Sequence, residues 1–137
     1  MSVEDNKAVV RRYWQELWND KRGEIIDKIA QDPVVFHFPS GQAHKPRSLH
    51  QWFETALTAF PDVHFTTDIE IAEGDKVAVR WSYLATNTGM FLGRPATGKQ
   101  VTDTGIDIFR IENGRIVEMW MAQDSLGLMQ QLGVIPT

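Results

Sequence analysis

The stretch Thr104-Gly105-Ile106-Asp107-Ile108-Phe109-Arg110 decides how this chain folds. Its alternation predicts a β-strand with the two isoleucines on one face and Asp107 beside Phe109 on the other. Aspartate is a poor strand former, so its place in an apolar strand needs a reason. Asp107 faces either water, as on an ordinary exposed strand, or an enclosed cavity. In a cavity, desolvation would raise its pKa and make it usable as an acid, a base or a hydrogen-bond donor.

The same period of two extends on both sides of this stretch and indicates a meander of long strands. Glu73-Gly74-Asp75 and Glu112-Asn113-Gly114 are predicted hairpin turns, because glycine and asparagine adopt positive φ at low cost. The four predicted strands are Val63 to Ile71, Lys76 to Ala85, Gln100 to Ile111 and Arg115 to Met121.

The first half of the chain has helical spacing instead, apart from one short strand predicted at Val34 to Phe38. Helices followed by strands predict an α+β fold, in which three N-terminal helices pack on a curved, mostly antiparallel sheet around an apolar interior. The predicted helices are Val3 to Trp18, a short one holding Ile25, Ile26 and Ile29 that stops at Asp32-Pro33, one from Ser48 to before Pro61, and Ser125 to Leu132.

Length and composition limit the classes of function. We expect the 137 residues to form one domain, residues 1–137. A net charge of -4 argues against a nucleic-acid surface. No stretch approaches the ~20 apolar residues that span a bilayer, and the acidic N-terminus does not resemble a signal peptide, so we expect a cytoplasmic protein without a membrane partner.

Two motifs are weighed and set aside. Gly93 to Gln100 nearly matches a phosphate-binding loop, but position 100 is not Ser or Thr and a strand follows where a helix is required. The four histidines lack the spacing of a zinc pair and the chain has no cysteine, so no metal and no cofactor are expected.

Three further residues have both a structural and a catalytic interpretation. Asp124, before the last helix, is either an N-cap or a base at the rim of the cavity. Tyr13 either fills the core or points its hydroxyl at a substrate carbonyl. His37 is either a hydrogen-bonded strand histidine or part of the cavity mouth.

The chain is rich in aromatic residues and methionine, with five Trp and seven Phe. Most of them would form the core, and the surplus, which includes Trp81 and Trp120, would suit a flat apolar ligand. The residues that we expect to line a pocket are Trp14, Trp52, Phe53, Met90, Phe109, Met119 and Met121.

Four segments together resemble the SnoaL-like polyketide-cyclase family of the NTF2-like (ketosteroid-isomerase-like) superfamily. These segments are Thr88 to Lys99, Gly105 to Arg110, Gly114 to Trp120 and Asp124 to Gly133. The resemblance implies a cone-shaped α+β fold that encloses a pocket and is often dimeric through the outer face of its sheet.

The resemblance also implies roles for individual residues. Asp124 matches the acid/base aspartate of the cyclases, which close rings by an intramolecular aldol reaction. Asp107 and Tyr13 match the aspartic acid and the tyrosine that hold the enolate oxygen in ketosteroid isomerases. The chain departs from these relatives at His37-Phe38-Pro39, where the isomerase base is missing, and at Met119, where many relatives carry histidine.

The leading hypothesis is therefore cofactor-independent acid/base catalysis on a small apolar carbonyl compound, with Asp124 as base, Asp107 and Tyr13 as donors and His37 assisting. The alternative is a non-catalytic pocket for an apolar ligand, or a dimerisation module. Epoxide hydrolysis, with Arg80 or Arg110 between two aspartates, is a third hypothesis, although strand parity places Arg110 opposite the face of Asp107.

Overall fold

The computed structural model describes residues 2–42 and 44–137, and its centre is a five-stranded mixed sheet. The strand order is β1-β5-β4-β3-β2, with β1 parallel to β5 and the other neighbours antiparallel. The strands are β1 Ala30–His37, β2 His64–Glu73, β3 Lys76–Thr86, β4 Gln100–Glu112 and β5 Arg115–Gln123. The predicted α+β class is confirmed, and β2 to β5 each lie within two residues of their predicted bounds.

The helices differ in detail from the prediction. The first helix changes from α to π geometry at Tyr13, and the second α-helix has only four residues before β1 begins. Asp32-Pro33 was expected to end that helix but lies inside β1, where an edge strand tolerates a residue that lacks an N–H. The helices are α1 Val3–Arg12 with its π-helical continuation Tyr13–Asn19, a 3-10 turn Gly23–Ile25 leading into α2 Ile26–Ile29, α3 Leu49–Ala59 and α4 Ser125–Leu132.

The start of α3 shows a variant of a capping box. The Ser48 hydroxyl accepts a hydrogen bond from the backbone N–H of Gln51, as expected for an N-cap. The side chain of Gln51, however, accepts from the N–H of Arg47 rather than from that of Ser48. The cap therefore fixes the loop before α3 as well as the first turn of the helix.

The alternation predicted for β4 is confirmed. Asp107 and Phe109 are 2% and 0% exposed, whereas Ile106 and Ile108 are 53% and 37% exposed. The buried face of β4 therefore lies under the helices, and it carries the side chains of Val101, Asp103, Asp107 and Phe109.

Candidate active-site cavity

A cavity of about 40 Å³ lies between the helices and the buried face of the sheet. This volume has room for roughly three water molecules, so a larger ligand needs side chains to move. Its walls are mainly aromatic, and every layer of the fold contributes to them. The lining residues are Tyr13, Trp14, Trp18, His44, Trp52, Ala56, Phe60, Val63, Phe65, Trp81, Tyr83, Phe91, Asp107, Met121, Gln123, Ser125, Leu128 and Met129.

Asp107 is the buried carboxyl of this cavity. Its Oδ1 atom has no hydrogen-bond partner among the described residues. Burial raises the pKa of Asp107 to about 7, and the neighbouring Trp81 side chain opposes part of the rise. A carboxyl with this pKa is present in both protonation states near neutral pH, as a group that takes up and returns a proton must be.

Tyr13 comes to the same region from the first residue of the π-helical segment. It is 1% exposed and packs edge-on against Phe109, with ring centroids 4.9 Å apart. Burial raises the pKa of Tyr13, and the nearby Asp107 carboxyl adds to the rise. Tyr13 therefore stays a neutral phenol that can donate a hydrogen bond. π-Helical turns are rare and frequently occur at functional sites.

The cavity walls also hold several polar atoms without partners. The indole nitrogens of Trp14, Trp18 and Trp81 and the Nε2 atom of His44 make no hydrogen bond within residues 2–42 and 44–137. Buried polar atoms are nearly always paired in folded proteins, because each unpaired group costs roughly 1–3 kcal/mol. The residues that carry these four atoms line the same cavity as Asp107.

A second buried carboxyl, Asp103, lies four residues before Asp107 on the same face of β4. Its Oδ1 accepts from the N–H of Thr104 at 2.8 Å, and its Oδ2 accepts from Nε2 of Gln123 at 3.2 Å. Burial raises the pKa of Asp103 to about 7, and the charge of Asp124 adds to the rise. Tyr83, directly opposite on β3, lies close enough to affect this pKa.

His37 does not reach the cavity, and the prediction that it lines the cavity mouth is corrected. It alternates along β1 with Phe36 and Phe38, which pack on the core, so its ring points to the outer face of the sheet. There it stacks on Trp120 and its Nε2 lies 2.6 Å from a carboxylate oxygen of Glu118. His37 is therefore a hydrogen-bonded strand histidine.

Asp124 is the N-cap of α4. Its Oδ1 accepts from the backbone N–H of Gly127 at 2.9 Å, and the residue is exposed. Its neighbours Gln123 and Ser125 both line the cavity, so Asp124 stands at the rim with its carboxylate engaged by the helix. The structure therefore brings Asp107 and Tyr13 together and leaves Asp124 and His37 apart from them.

Three of the seven residues predicted to line the pocket do so: Trp14, Trp52 and Met121. Phe53, Phe109 and Met119 belong to the hydrophobic cluster around the cavity instead. Met90 is 60% exposed, which corrects its predicted place. Its neighbour Phe91 takes that place, because a tight turn pairs the backbones of Phe91 and Arg94 and sends the phenylalanine inward.

The arginines considered for epoxide hydrolysis lie elsewhere. Arg110 donates to Glu118 at 2.8 Å and to Glu112 at 3.0 Å, and Arg80 pairs with Asp68. Among the described residues, no three His, Cys, Asp or Glu side chains cluster in a way that could hold a metal ion. In the same part of the chain, no helix is long and apolar enough to cross a bilayer.

Comparison with known proteins identifies the family of the chain. The profile of the family described as SnoaL-like polyketide cyclase matches residues 8–132, which include β1 to β5 and most of the helices. The chain belongs to this family. No protein of curated function matches its sequence.

Several solved structures resemble this SnoaL-like protein over nearly its whole length. A proposed polyketide cyclase from Acidithiobacillus ferrooxidans is 30% identical, with a TM-score of 0.80 over 98% of this chain and 99% of that one. AclR, a proposed hydroxylase from Streptomyces galilaeus, is 27% identical, with a TM-score of 0.85 over 99% and 85% of the two chains. A proposed SnoaL-like polyketide cyclase from Jannaschia sp. CCS1 is 24% identical, with a TM-score of 0.83 over 97% and 94%, and this last likeness concerns the fold alone.

Sequence reasoning missed several polar residues of this SnoaL-like cavity. Asp103 shares the strand parity of Asp107, which was a signal that could have identified it. Tyr83 shares the parity of Trp81 on β3, and Trp81 itself was noted only within the aromatic surplus. Gln123 continues the parity of Met119 and Met121 on β5, but it lies two residues beyond the predicted end of that strand.

Proposed function

We propose that this SnoaL-like protein catalyses proton transfer on a small, largely apolar carbonyl compound without a cofactor, as an aldol-type cyclase or an isomerase does. The observation that carries the proposal is Asp107, a buried carboxyl at the cavity with one unpartnered oxygen and a pKa raised to about 7. The hydrogen bonds of the described residues leave Oδ1 of Asp107 free for a ligand. Unpaired, titratable buried groups concentrate at sites of chemistry.

The chemistry divides between two neighbouring side chains. The Asp107 carboxylate takes the proton from the carbon next to a substrate carbonyl; the electron pair of that C–H bond forms a C=C bond, and the π pair of the carbonyl moves onto its oxygen. The neutral Tyr13 hydroxyl donates a hydrogen bond to the resulting enolate oxygen. For ring closure, the enolate carbon attacks a second carbonyl, and the alkoxide that forms takes the proton from Asp107. For isomerisation, the enolate takes this proton back at another carbon.

The geometry favours Asp107 over Asp124 as the base. Asp107 is buried at the cavity with a free oxygen, whereas Asp124 is exposed and caps α4. The Asp124 carboxylate is engaged by the backbone N–H of Gly127, so it is held at the start of α4 and away from the Asp107 carboxyl. The base role first assigned to Asp124 therefore passes to Asp107, and Asp124 positions α4 at the rim.

The test uses acetophenone, a small apolar ketone, in deuterated buffer near neutral pH. We expect the protein to accelerate exchange of the methyl protons for deuterium, as followed by proton NMR. Asp107→Asn should lower this acceleration by about 10²–10⁴-fold, the usual contribution of a general base. Asp75→Asn, at an exposed turn, is the matched control and should exchange at the wild-type rate. Equal rates for Asp107→Asn and wild type would remove Asp107 from the chemistry.

A second candidate function is binding without catalysis. The unpartnered indole N–H groups of Trp14, Trp18 and Trp81 favour it, because they suit a carbonyl ligand whether or not Asp107 reacts. Acetophenone that binds, as shown by calorimetry, and exchanges no faster than in buffer would support this function instead.

We also propose that the outer face of the sheet pairs with a second copy of the chain. This face exposes large apolar side chains, such as Ile71 and Ile106, which are 64% and 53% exposed. A groove of about 340 Å³ between His37 and Ile108 continues the apolar surface. Ile108→Lys should convert a dimer to a monomer in sedimentation equilibrium. A monomeric wild-type protein, or a variant that stays dimeric, would contradict this surface as the interface.

A further inference from the structure

The two tyrosines of the chain stand beside the two buried aspartates of β4. Tyr13 accompanies Asp107, and Tyr83 accompanies Asp103, its cross-strand neighbour. The two aspartates are about 13 Å apart along the strand, at ~3.3 Å per residue. Only the first pair takes part in the chemistry proposed above, so the second pair needs an explanation of its own.

We infer that Tyr83 and Gln123, oriented by Asp103, form a second polar subsite of the cavity that accepts a hydrogen bond from a substrate hydroxyl. The substrate class is then a ring compound with a ketone at the Asp107 end and a hydroxyl at the opposite end. The inference rests on the proposed function only in placing the ligand in the same cavity.

The orientation of Gln123 follows from what a carboxylate can do. An ionised carboxylate only accepts hydrogen bonds, so the amide nitrogen of Gln123 must face Asp103, where Nε2 lies 3.2 Å from Oδ2. The amide oxygen of Gln123 is then left for another partner, and Gln123 lines the cavity. Gln123 therefore presents an acceptor to a ligand.

Tyr83 is oriented by the same carboxylate. Burial raises the pKa of Tyr83, and the Asp103 charge adds to the rise, so the phenol stays protonated. Its hydroxyl hydrogen is attracted to the carboxylate, which leaves the lone pairs of the phenol oxygen as acceptors. Tyr83 also lines the cavity and is held in place by stacking on Trp81, with ring centroids 5.8 Å apart and planes within 4°.

The two ends of the cavity therefore differ in hydrogen-bonding character. At the Asp107 end, donors surround the free carboxyl oxygen, namely the Tyr13 hydroxyl and the indole N–H groups that line the cavity. The end at Asp103 presents the acceptors of Tyr83 and Gln123. A carbonyl oxygen, which only accepts, fits the first end, and a hydroxyl hydrogen fits the second. Asp103 is a positioning residue in this arrangement, because it acts on the ligand through Tyr83 and Gln123.

The experiment compares binding of matched probes at pH 8 by calorimetry. 4-(Hydroxymethyl)acetophenone, an alcohol that stays neutral at pH 8, should bind roughly 3- to 10-fold more tightly than acetophenone, the gain expected from one additional hydrogen bond. 4-(Methoxymethyl)acetophenone, which has no O–H to donate, should lose this gain. 6-(Hydroxymethyl)-2-acetonaphthone and 2-acetonaphthone repeat the comparison with a longer ring, so two spacings between the oxygens are covered.

The variants separate the two ends of the cavity. Tyr83→Phe should reduce the gain from the ligand hydroxyl, and Asp103→Asn should abolish it, while neither changes the affinity for the ketone without a hydroxyl. Tyr13→Phe is the matched control: it should weaken the hydroxylated and plain ketones by the same factor and leave their ratio unchanged.

Two results would overturn the inference: no gain from the hydroxyl with either ring size, or a gain that survives both Tyr83→Phe and Asp103→Asn. The methoxy probe keeps the comparison valid if a variant fails to fold, because it tests the same hydrogen bond in the wild-type protein. Binding is measured independently of proton exchange, so failure of this inference and failure of the proposed catalysis give different results.

Discussion

Asp103 and Asp107 occupy equivalent positions on one strand, yet their surroundings differ. Both carboxyls are buried on the same face of β4, each lies near a tyrosine, and burial raises the pKa of each to about 7. Both oxygens of Asp103 accept hydrogen bonds from the protein, whereas Oδ1 of Asp107 accepts none from any described residue.

This difference separates an orienting group from a reacting group. A carboxylate whose lone pairs are engaged holds its neighbours in place and gains little from exchanging a proton. A carboxyl with a free oxygen in an apolar cavity is costly to ionise and available to a substrate. In the functions proposed above, the same residue type on the same strand serves two purposes, according to the hydrogen bonds around it.

Gly105, midway between the two aspartates, makes room for the Trp81 ring. A Cβ atom at this position would overlap Cζ2 of Trp81 and the carbonyl oxygen of Ala122. The absence of a side chain therefore lets the Trp81 ring lie against β4 while it stacks on Tyr83.

The largest expected effect concerns stability as a function of pH. The difference between a pKa of about 7 in the folded chain and the ordinary aspartate value of 3.8 corresponds to ~4 kcal/mol of preference for neutral Asp107. Below pH ~4 the carboxyl is protonated in the folded and the unfolded chain; between pH ~4 and ~7 only the folded chain holds the proton, so stability falls as pH rises. Relative to Asp107→Asn, wild type should lose roughly 2–3 kcal/mol of unfolding free energy between pH 5 and pH 8.

Urea unfolding at pH 5, 6, 7 and 8, followed by tryptophan fluorescence, measures this difference. The free-energy difference between wild type and Asp103→Asn should change in the same direction over the same pH range, because the pKa of Asp103 is also raised to about 7. A free-energy difference between wild type and Asp107→Asn that stays constant from pH 5 to pH 8 would show that Asp107 is not a costly buried carboxyl.

Local periodicity predicted most of the fold. Strand alternation placed Asp107 under the helices and the two isoleucines beside it in solvent, because one face of the sheet must be buried. The asparagine and glycine of the second hairpin adopt positive φ, of 52° at Asn113 and 77° at Gly114, as their chemistry required. Such features depend only on residues that are close in the sequence, so they can be predicted from it.

The candidate site was harder to predict because it depends on contacts between distant segments. The direction of His37 depends on the exact phase of a short edge strand, which begins before its predicted start. The sequence allowed Asp124 to be either a helix cap or a base. The structure of α4 shows that its carboxylate accepts a hydrogen bond from the N–H of Gly127. Asp103 had the right parity, but its partner Gln123 comes from another strand.

The smallest expected effect tests whether the exposed charge of Asp124 changes the pKa of Asp103 and leaves that of Asp107 unchanged. Asp124→Asn removes a charge that raises the pKa of Asp103, while asparagine caps a helix as well as aspartate does, so α4 should be preserved. We expect the pKa of Asp103 to fall by roughly half a pH unit. The pKa of Asp107 should stay constant, because burial and not the charge of Asp124 raises it. Carboxyl carbon NMR across pH 4–9 measures both values in one titration. Equal changes in the two pKa values would mean that the carboxyls are coupled through the cavity. If Asp124→Asn reduced acetophenone exchange as strongly as Asp107→Asn does, the role of base would return to Asp124.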